Sequence, residues 1–314
     1  MANATVSRLG QAEGVGDTTA LFLKVFAGEV ITAFEQAVIL KPLTRQRTIA
    51  SGKSAQFPAM YKAAAEYHTP GAEIVGAKIQ HNEVVITIDD LLISHAFIAN
   101  IDEAMSHYDV RAPYSTELGL ALALAYDKNV ARNIARAARG AALFAADSGG
   151  SQITDGDGDT SATSLAANIW AAKLAMEEKD VPVDSSPVHC AVRPAQWYLL
   201  AQESTLVLNR DVGGDGSYSQ GRFTLIGGVN VVKSQALPWV DSSADTDIPA
   251  SYRLNMSTSL ALIFTEAACA TVQLMGLGME SEYDIRRQGT LMVAKYAVGH
   301  GPLINKCAVE IIKS

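Results

Sequence analysis

Residues 113–146 read PYSTELGLALALAYDKNVARNIARAARGAALFAA, and the rest of the chain is organised around this stretch. Pro113 suits the first position of a helix because its missing N–H would be unpaired there anyway. Alanine and other good helix formers fill most of the following positions. We therefore expect one helix of about 34 residues, or roughly 50 Å. An apolar stripe along one side is indicated by residues four apart: Leu118, Leu122, Tyr126, Val130 and Ile134.

The run from Leu118 to Ala125 also alternates every second residue, which is typical of a strand. The length and alanine content of the whole stretch favour the helix. Arg132 and Arg136 stand four apart on one helix face, where two like charges cost an isolated helix a few tenths of a kcal/mol. Acidic partners within the subunit or on a neighbour are one interpretation of this pair. Two solvated arginines are the other.

The composition limits the function classes. The chain has 314 residues, of which 48% are hydrophobic, and no run approaches the roughly 20 apolar residues that a membrane span requires. Its start lacks a signal-peptide pattern, which predicts a cytoplasmic protein without membrane partners. The net charge of −8 argues against a general nucleic-acid binder, so we expect any contact with DNA to be weak and non-specific. Three separated cysteines predict buried, reduced thiols: Cys190, Cys269 and Cys307.

The N-terminal region is predicted to be an arm followed by a docking helix. Residues 1–18 are small and polar, which is typical of a mobile terminus. Residues 19–34 place apolar side chains at helical spacing, including Phe22 and Phe26. A short apolar helix after such an arm favours docking on another surface.

Residues 48–90 predict an extended hairpin. Thr48–Ala50 and Gln56–Met60 suggest one extended strand, and Ile79–Ile88 is the best strand pattern in the chain. A polar segment that contains Tyr61 and Tyr67 joins them. Because an isolated two-stranded hairpin is marginally stable in water, we expect this one to lie on another surface.

The rest of the chain alternates loops, short helices and strands. A module of residues 150–250 is predicted between the long helix and a C-terminal set of strands. Loops are expected at 147–164 and 209–221, helices at 102–108, 165–179 and 194–202, a strand at 188–192, and a hairpin at 223–232. C-terminal strands are expected at 260–264, 270–274, 291–296 and 309–312.

Three local patterns resemble parts of binding or catalytic motifs, but none of them is complete. Gly52-Lys53-Ser54 matches the end of a phosphate-binding loop, but position 47 is Arg47 instead of glycine and Pro58 would end any following helix. The acidic run at 155–159 resembles the start of a calcium loop, but a solvated loop is the better interpretation. His189 and Cys190 are adjacent, and adjacent strand residues point to opposite faces. We expect no enzyme activity, cofactor or metal site.

Two groups of sequence blocks stand out near the two ends of the chain. The N-terminal blocks are Ala20–Phe26, Gly28–Val30, Ser51–Pro58, Val85–Asp89, Ala104-Met105 and His107–Arg111. The C-terminal blocks are Ala294–Ala297 and Gly299–Gly301. These collinear blocks resemble the major capsid proteins of T-seven-like short-tailed bacteriophages. They cover roughly the first 130 residues and the last 30, while the middle of the chain resembles this family only in layout.

The resemblance implies an α+β fold of the HK-ninety-seven-like capsid type. It assigns an N-terminal arm to residues 1–47, an extended loop to 48–90, a peripheral domain with a long spine helix to 91–148, an axial domain to 149–250, and the return of the peripheral domain to 251–314. Some relatives carry an N-terminal scaffolding segment of about a hundred residues. Only 47 residues precede the extended loop here, so we expect a separate scaffolding protein.

The implied function is that of a virion structural protein, assembled in the host cytoplasm. Copies would form hexamers and pentamers of an icosahedral head, with a portal protein and packaged double-stranded DNA as further partners. A cellular nanocompartment (encapsulin-like) shell of the same fold is the alternative, and a nucleotide-binding enzyme is a minor one. The residues that we expect to make assembly contacts are Phe22, Phe26, Lys53, Phe57, Tyr61, Tyr67, Arg132 and Arg136.

Overall fold

A computed structural model describes residues 38–71, 73–76, 78–100, 111–203 and 225–314. In these ranges the helices are α1 (Arg111–Ala138), α2 (Ala162–Glu177) and α3 (Pro194–Gln202). The first strands are β1 (Arg45–Thr48), β2 (Ser54–Met60), β3 (His81–Thr87), β4 (Leu92–Ala99), β5 (Ser151–Asp155) and β6 (Val188–Val192). The later ones are β7 (Leu225–Ile226), β8 (Val229–Lys233), β9 (Ser259–Thr265), β10 (Cys269–Asp284), β11 (Gly289–Pro302) and β12 (Ala308–Lys313).

The described residues divide into two compact units. The first comprises residues 38–39, 89–100, 111–127 and 274–298, and the second comprises 40–71, 73–76, 78–88, 128–203, 225–273 and 299–314. Both units mix helix and strand, as expected for an α+β chain.

A six-stranded sheet in the order β5-β12-β9-β6-β8-β7 forms the centre of the second unit. Every residue of β6 and β9 is buried, since both strands lie inside the sheet and carry almost continuous apolar sequence. Helix α2 covers this sheet with its inner face, and α3 packs against α2. The inner face of α2 is formed by fully buried side chains: Leu165, Ile169, Ala172 and Met176.

A second sheet has the order β1-β10-β11-β4. β1 pairs in parallel with the start of β10, from Ala270 to Gln273. β4 pairs antiparallel with β11, from Gly289 to Tyr296. The C-terminal strands therefore contribute to both sheets, with β9 and β12 in the six-stranded sheet and β10 and β11 in this one.

The predicted long helix is confirmed as α1, although α1 ends earlier than the sequence predicted. It has 28 residues and ends at Ala138, whereas the sequence predicted about Ala146. The predicted apolar stripe is buried from Leu118 to Ile134, and the strand interpretation of residues 118–125 is wrong. A Cβ at Gly150 would clash with the carbonyl oxygens of the last helical turn. Because the chain returns this closely, residues 139–150 must leave the helix axis despite their alanine content.

The predicted hairpin is confirmed, and its first strand is corrected. β2 and β3 pair antiparallel from Ser54–Thr87 to Met60–His81. The sequence predicted one strand from Thr48 to Met60, but β1 and β2 are separate strands in different sheets. Gly52 has φ +110° between them, a conformation that few other residues adopt.

Several other elements match the prediction. β6 and α3 have the predicted bounds, and the β7–β8 hairpin turns at two glycines with positive φ. β5 was missed, because residues 147–164 were expected to form only a loop. β10 and β11 are much longer than predicted, and β4 was not predicted. The expected N-terminal elements, the helix at 102–108 and the loop at 209–221 lie outside the described residues.

The three cysteines are free and buried, as predicted. Burial raises the pKa of the Cys190 and Cys269 thiols to about 12, so both stay protonated at neutral pH. Among the helices of the described ranges, none is long and apolar enough to cross a membrane.

Candidate assembly surfaces

The root of the β2–β3 hairpin is anchored in an apolar cluster. Burial alternates along β2, as expected for a strand with one face on a core. Partly buried aliphatic side chains surround the cluster, including Ile49, Val84 and Ile304. The cluster therefore fixes where the hairpin leaves the subunit. Its buried members are Ala55, Phe57, Ile86, Ala270, Val272 and Leu303.

Close backbone packing and one arginine reinforce this root. The guanidinium carbon of Arg47 lies 5.3 Å from the ring centroid of Phe57, and Arg47 Nη1 donates to the Gln56 carbonyl at 2.7 Å. A Cβ at Gly299 would clash with the carbonyl oxygen of Thr87. β11 therefore lies so close to the end of β3 that no side chain fits at position 299.

Three polar contacts hold the far part of the hairpin strands against neighbouring segments of the same unit. Tyr61 Oη donates to the Ala146 carbonyl at 2.7 Å, and its ring centroid lies 5.3 Å from that of Phe144. Asn82 Nδ2 donates to the Leu143 carbonyl at 2.8 Å. Lys62 Nζ lies 2.6 Å from Asp180 Oδ2, and this bond raises the pKa of the lysine. Both side chains of that pair are exposed, so it stabilises the hairpin only weakly.

The described residues between Lys62 and Gln80 have little cover from the rest of the chain. The ring of Tyr67 is fully exposed, and Ile74 and Val75 are more than three-quarters exposed. Exposed apolar groups on a segment without its own core are typical of interaction surfaces.

The hairpin root also borders a cavity of about 520 Å³. Its apolar lining includes Met60, Val84, Leu143 and Phe144, and charged groups including Arg45 and Lys306 stand among the lining residues. Lys306 forms an ion pair with Asp147 at 3.0 Å. The cavity therefore combines an apolar lining with charged groups beside the hairpin.

The structure places the predicted contact residues of the hairpin in different environments. Phe57 is buried in the root cluster, Tyr61 is half-buried against Phe144, and Lys53 and Tyr67 are exposed. Phe57 therefore packs within the subunit, and its contact with a second copy stays a prediction. Contacts of Lys53, Tyr61 and Tyr67 with a second copy also stay predictions. Phe22 and Phe26 lie outside the described residues.

The two predicted arginines of α1 point to its own subunit. Arg132 is buried and donates to Asn129 Oδ1 at 3.0 Å and to Ser242 Oγ at 3.3 Å. Arg136 Nη2 donates to the Arg253 carbonyl at 3.2 Å. The solvated interpretation is wrong for Arg132. Burial lowers its pKa, and the nearby carboxylate of Asp245 acts in the opposite direction.

An acidic partner was one interpretation of the basic face of α1, but the sequence did not identify it. It is Glu310 of β12, which is fully buried and pairs with Arg139, one position after the end of α1. Gln152 donates to the same carboxylate at 2.9 Å, and Ser259 donates to it as well. A charged residue inside the apolar strand Val309–Ile312 was the signal that could have revealed a buried pair.

The geometry does not support the phosphate-loop pattern at Gly52-Lys53-Ser54. Such a loop must lead into a helix, whose N-terminus and backbone amides hold the phosphates. Here Ser54 begins β2, and the Lys53 carbonyl accepts a hydrogen bond from Ile88 N at 2.8 Å.

The acidic run at 155–159 is used for internal bonding. Asp155 accepts from Ser164 Oγ at 2.8 Å and from Asn168 Nδ2, and Asp159 pairs with Lys313. These bonds tie the start of α2 and the end of β12 to the loop. The interpretation of a purely solvated loop is therefore incomplete.

His189 and Cys190 show no catalytic arrangement. Both lie in the central strand β6, where successive side chains point to opposite faces of the sheet. Burial lowers the pKa of His189, and its ring centroid lies 6.0 Å from that of Phe264. The pair therefore belongs to the packing of the sheet.

Comparison with known proteins gives a consistent result. A family model described as Gp10A-like major capsid protein matches residues 56–312. The chain is 29% identical to the major capsid protein of Enterobacteria phage T3, over 96% of this chain and 94% of that protein. It is also 29% identical to the major capsid protein of Escherichia phage T7, over 96% of this chain and 95% of that protein. The capsid structure of Cyanophage P-SCSP1u matches with a TM-score of 0.79 and 40% identity, over 100% of this chain and 99% of that one.

Proposed function

This chain belongs to the family of Gp10A-like major capsid proteins, and we propose that its copies assemble as hexamers and pentamers into an icosahedral head around double-stranded DNA. It is a phage major capsid protein with the HK-ninety-seven-like fold. Its place is the virion capsid. The family favours a phage head over a nanocompartment shell, and the strand at Ser54 argues against the nucleotide-binding alternative.

One observation supports the assembly mechanism. The hairpin is anchored at its root in a buried cluster, whereas the segment that follows Lys62 is exposed. The root side chains are buried, whereas Tyr67, Ile74 and Val75 are exposed. An anchored strand pair with an uncovered apolar end is suited to lie over a second copy. Exchange of such arms between copies enlarges the interfaces of obligate assemblies, which commonly exceed about 2,000 Å².

The finer assignments are those that the resemblance implies, and they are part of the proposal. Residues 1–47 are assigned to the arm, 48–90 to the extended loop, 91–148 and 251–314 to the peripheral domain, and 149–250 to the axial domain. β1 belongs to the four-stranded sheet, and β9 and β12 complete the six-stranded sheet of the axial segment. The exposed residues Lys53 and Tyr67 contact neighbouring copies, as do Phe22 and Phe26 of the arm. In the peripheral domain, the half-buried Arg136 is proposed to contact a neighbouring copy.

We further infer that a separate scaffolding protein and a portal protein act during assembly in the host cytoplasm. The net charge of −8 supports a head whose contacts with packaged DNA are weak and non-specific, because counter-charge for phosphates is scarce. No enzymatic step is required in this scheme.

Expression of the chain alone and with a candidate scaffolding protein tests the proposal. Sedimentation and electron microscopy report whether subunits, capsomers or closed shells form. We expect closed shells of uniform size, better formed with the scaffolding protein. A small soluble oligomer under both conditions would contradict the proposal.

A further inference from the structure

Helix α2 is apolar on both of its faces. The inner face is buried on the six-stranded sheet. The opposite face carries Ala167, Trp170, Ala171 and Leu174, which we call the outer stripe. Trp170 is 57% exposed and Leu174 is 55% exposed. A helix with two opposite apolar faces is normally covered on both, so the outer stripe needs a partner.

The outer stripe has a fixed shape. The Trp170 ring packs beside Gly227 in the β7–β8 turn, where a Cβ would lie 2.8 Å from the indole. Lys173 reaches the Gly227 carbonyl at 3.4 Å and Glu177 at 3.8 Å, which holds one edge of the stripe. Ala167 and Ala171 have small side chains, so Trp170 and Leu174 project beyond them. A tryptophan that is held in place in this way is typical of an interface centre.

The charges around the stripe select the kind of partner. Glu177 and Glu178 are exposed at the C-terminal end of α2, which also carries the negative end of the helix dipole. An acidic flank disfavours nucleic acid and anionic membrane surfaces, since both recruit basic residues. A protein surface with an aromatic group and a positive charge fits this stripe.

The same module presents such a surface on α3 and β8. Tyr198 is 54% exposed, and Lys233 Nζ lies 5.0 Å from its ring centroid and 3.4 Å from its hydroxyl. Among the described residues, Lys233 has no carboxylate within ion-pair distance. A positive charge beside an aromatic ring complements the acidic end of α2 on another copy.

We propose that the outer stripe of one copy contacts the Tyr198–Lys233 surface of a second copy in the assembled shell. Leu174 and Trp170 pack against the Tyr198 ring, and Glu177 or Glu178 pairs with Lys233. This contact rests on the proposed function, since it requires that copies assemble. It gives the axial module an interface that does not involve the hairpin.

Mixed cysteine variants test the pairing directly. One chain carries Leu174→Cys and a second, tagged chain carries Tyr198→Cys, and the two are assembled together with a short bifunctional maleimide. The three native cysteines are buried and do not compete. We expect a cross-linked heterodimer only in the mixed shells and none from either variant alone. Mass spectrometry verifies that both cysteines react.

A charge substitution gives an independent readout. Leu174→Glu should reduce the yield of shells at least tenfold at equal subunit concentration, with an unchanged circular dichroism spectrum. Val240→Glu is the matched control, because Val240 is exposed in the same unit but lies off the stripe. We expect it to assemble like the unmodified chain.

The outcomes separate this contact from the proposed function. Failure of the unmodified chain to form shells would contradict the proposed function. Normal shells without the heterodimer, or a homodimer from Leu174→Cys alone, would overturn the α2–α3 contact while leaving the shell in place. Equal shell yields from Leu174→Glu and Val240→Glu would overturn it as well.

Discussion

Arg139 and Glu310 form a bidentate ion pair, in which Nε and Nη2 of Arg139 each lie 2.7 Å from a carboxylate oxygen of Glu310. Glu310 is fully buried in β12, and its oxygens also accept from Gln152 and Ser259. The pair connects the end of α1 with three strands of the six-stranded sheet: β5, β9 and β12.

Removal of the arginine should destabilise the subunit strongly. Arg139→Met leaves a carboxylate buried without its counter-charge, which typically costs about 3 to 5 kcal/mol. Denaturant unfolding measures the loss. The double variant Arg139→Met with Glu310→Gln removes the buried charge and should recover part of this free energy. A double variant no more stable than the single one would contradict this explanation.

The approach of β11 to β3 should make Gly299 intolerant of a side chain. Gly299→Ala forces a methyl group against the Thr87 carbonyl, and we expect a loss of about 1 to 3 kcal/mol in unfolding free energy. Gly278→Ala is the matched control, since a Cβ there meets nothing within 4 Å. Thermal unfolding compares the two, and equal stabilities would count against the close packing at the hairpin root.

His300 should make folding sensitive to acid. Its ring is buried, Nδ1 lies 2.9 Å from Thr271 Oγ1, and burial lowers its pKa to about 3. The unfolded chain takes up a proton near the ordinary pKa of 6.5, so it binds more protons than the folded chain below that pH. The folded state should therefore lose up to about 1.4 kcal/mol per pH unit as the pH falls from 6.5 towards 3.

A variant without the imidazole isolates this effect from that of the carboxylates. His300→Gln keeps a polar side chain but does not titrate, so its unfolding free energy should fall less steeply between pH 6.5 and 4. Parallel slopes for both chains would show that His300 contributes no such pH dependence.

The hairpin end should be needed for assembly and not for folding. A short Gly-Ser linker in place of residues 63–78 preserves the bonds of Tyr61 and Asn82 to the loop that follows α1. We expect an unchanged unfolding midpoint and no closed shells by electron microscopy. Tyr61→Phe is a milder variant that loses one hydrogen bond, or about 1 kcal/mol, and should still assemble. Normal shells from the linker variant would contradict the role given to the hairpin.

Local pattern predicted a large part of the fold. The four-residue spacing from Leu118 to Ile134 identified the buried side of α1, and the strand at Val188–Val192 followed from its almost continuous apolar sequence. The β2–β3 hairpin followed from a good strand pattern and the polar segment beside it. Each of these signals lies within a short window of the chain.

The missed features depend on partners that are distant in the chain. β5 is polar and alternates in burial, and it is a strand because it pairs with β12 at the other end of the chain. α1 ends early because Gly150 packs against its last turn, which overrides the helix propensity of the alanines. Leu174 is one of the apolar residues of the predicted helix 165–179, yet it lies on the exposed face of α2. Spacing alone could not show which of two apolar faces the sheet covers.

The candidate surfaces were predicted less completely than the fold. Tyr67 is exposed as expected for a contact residue, whereas Phe57 and Arg132 are buried in their own subunit. Aromatic and arginine side chains serve cores and interfaces alike, so residue type could not separate the two. The outer stripe required knowledge of where α2 packs.

A reconstruction of assembled shells at side-chain resolution tests the central claim most directly. We expect the segment between Lys62 and Gln80 of each copy to lie over a neighbouring copy, with Tyr67, Ile74 and Val75 covered by it. Closed shells in which this segment stays exposed to solvent or folds back on its own subunit would contradict the account.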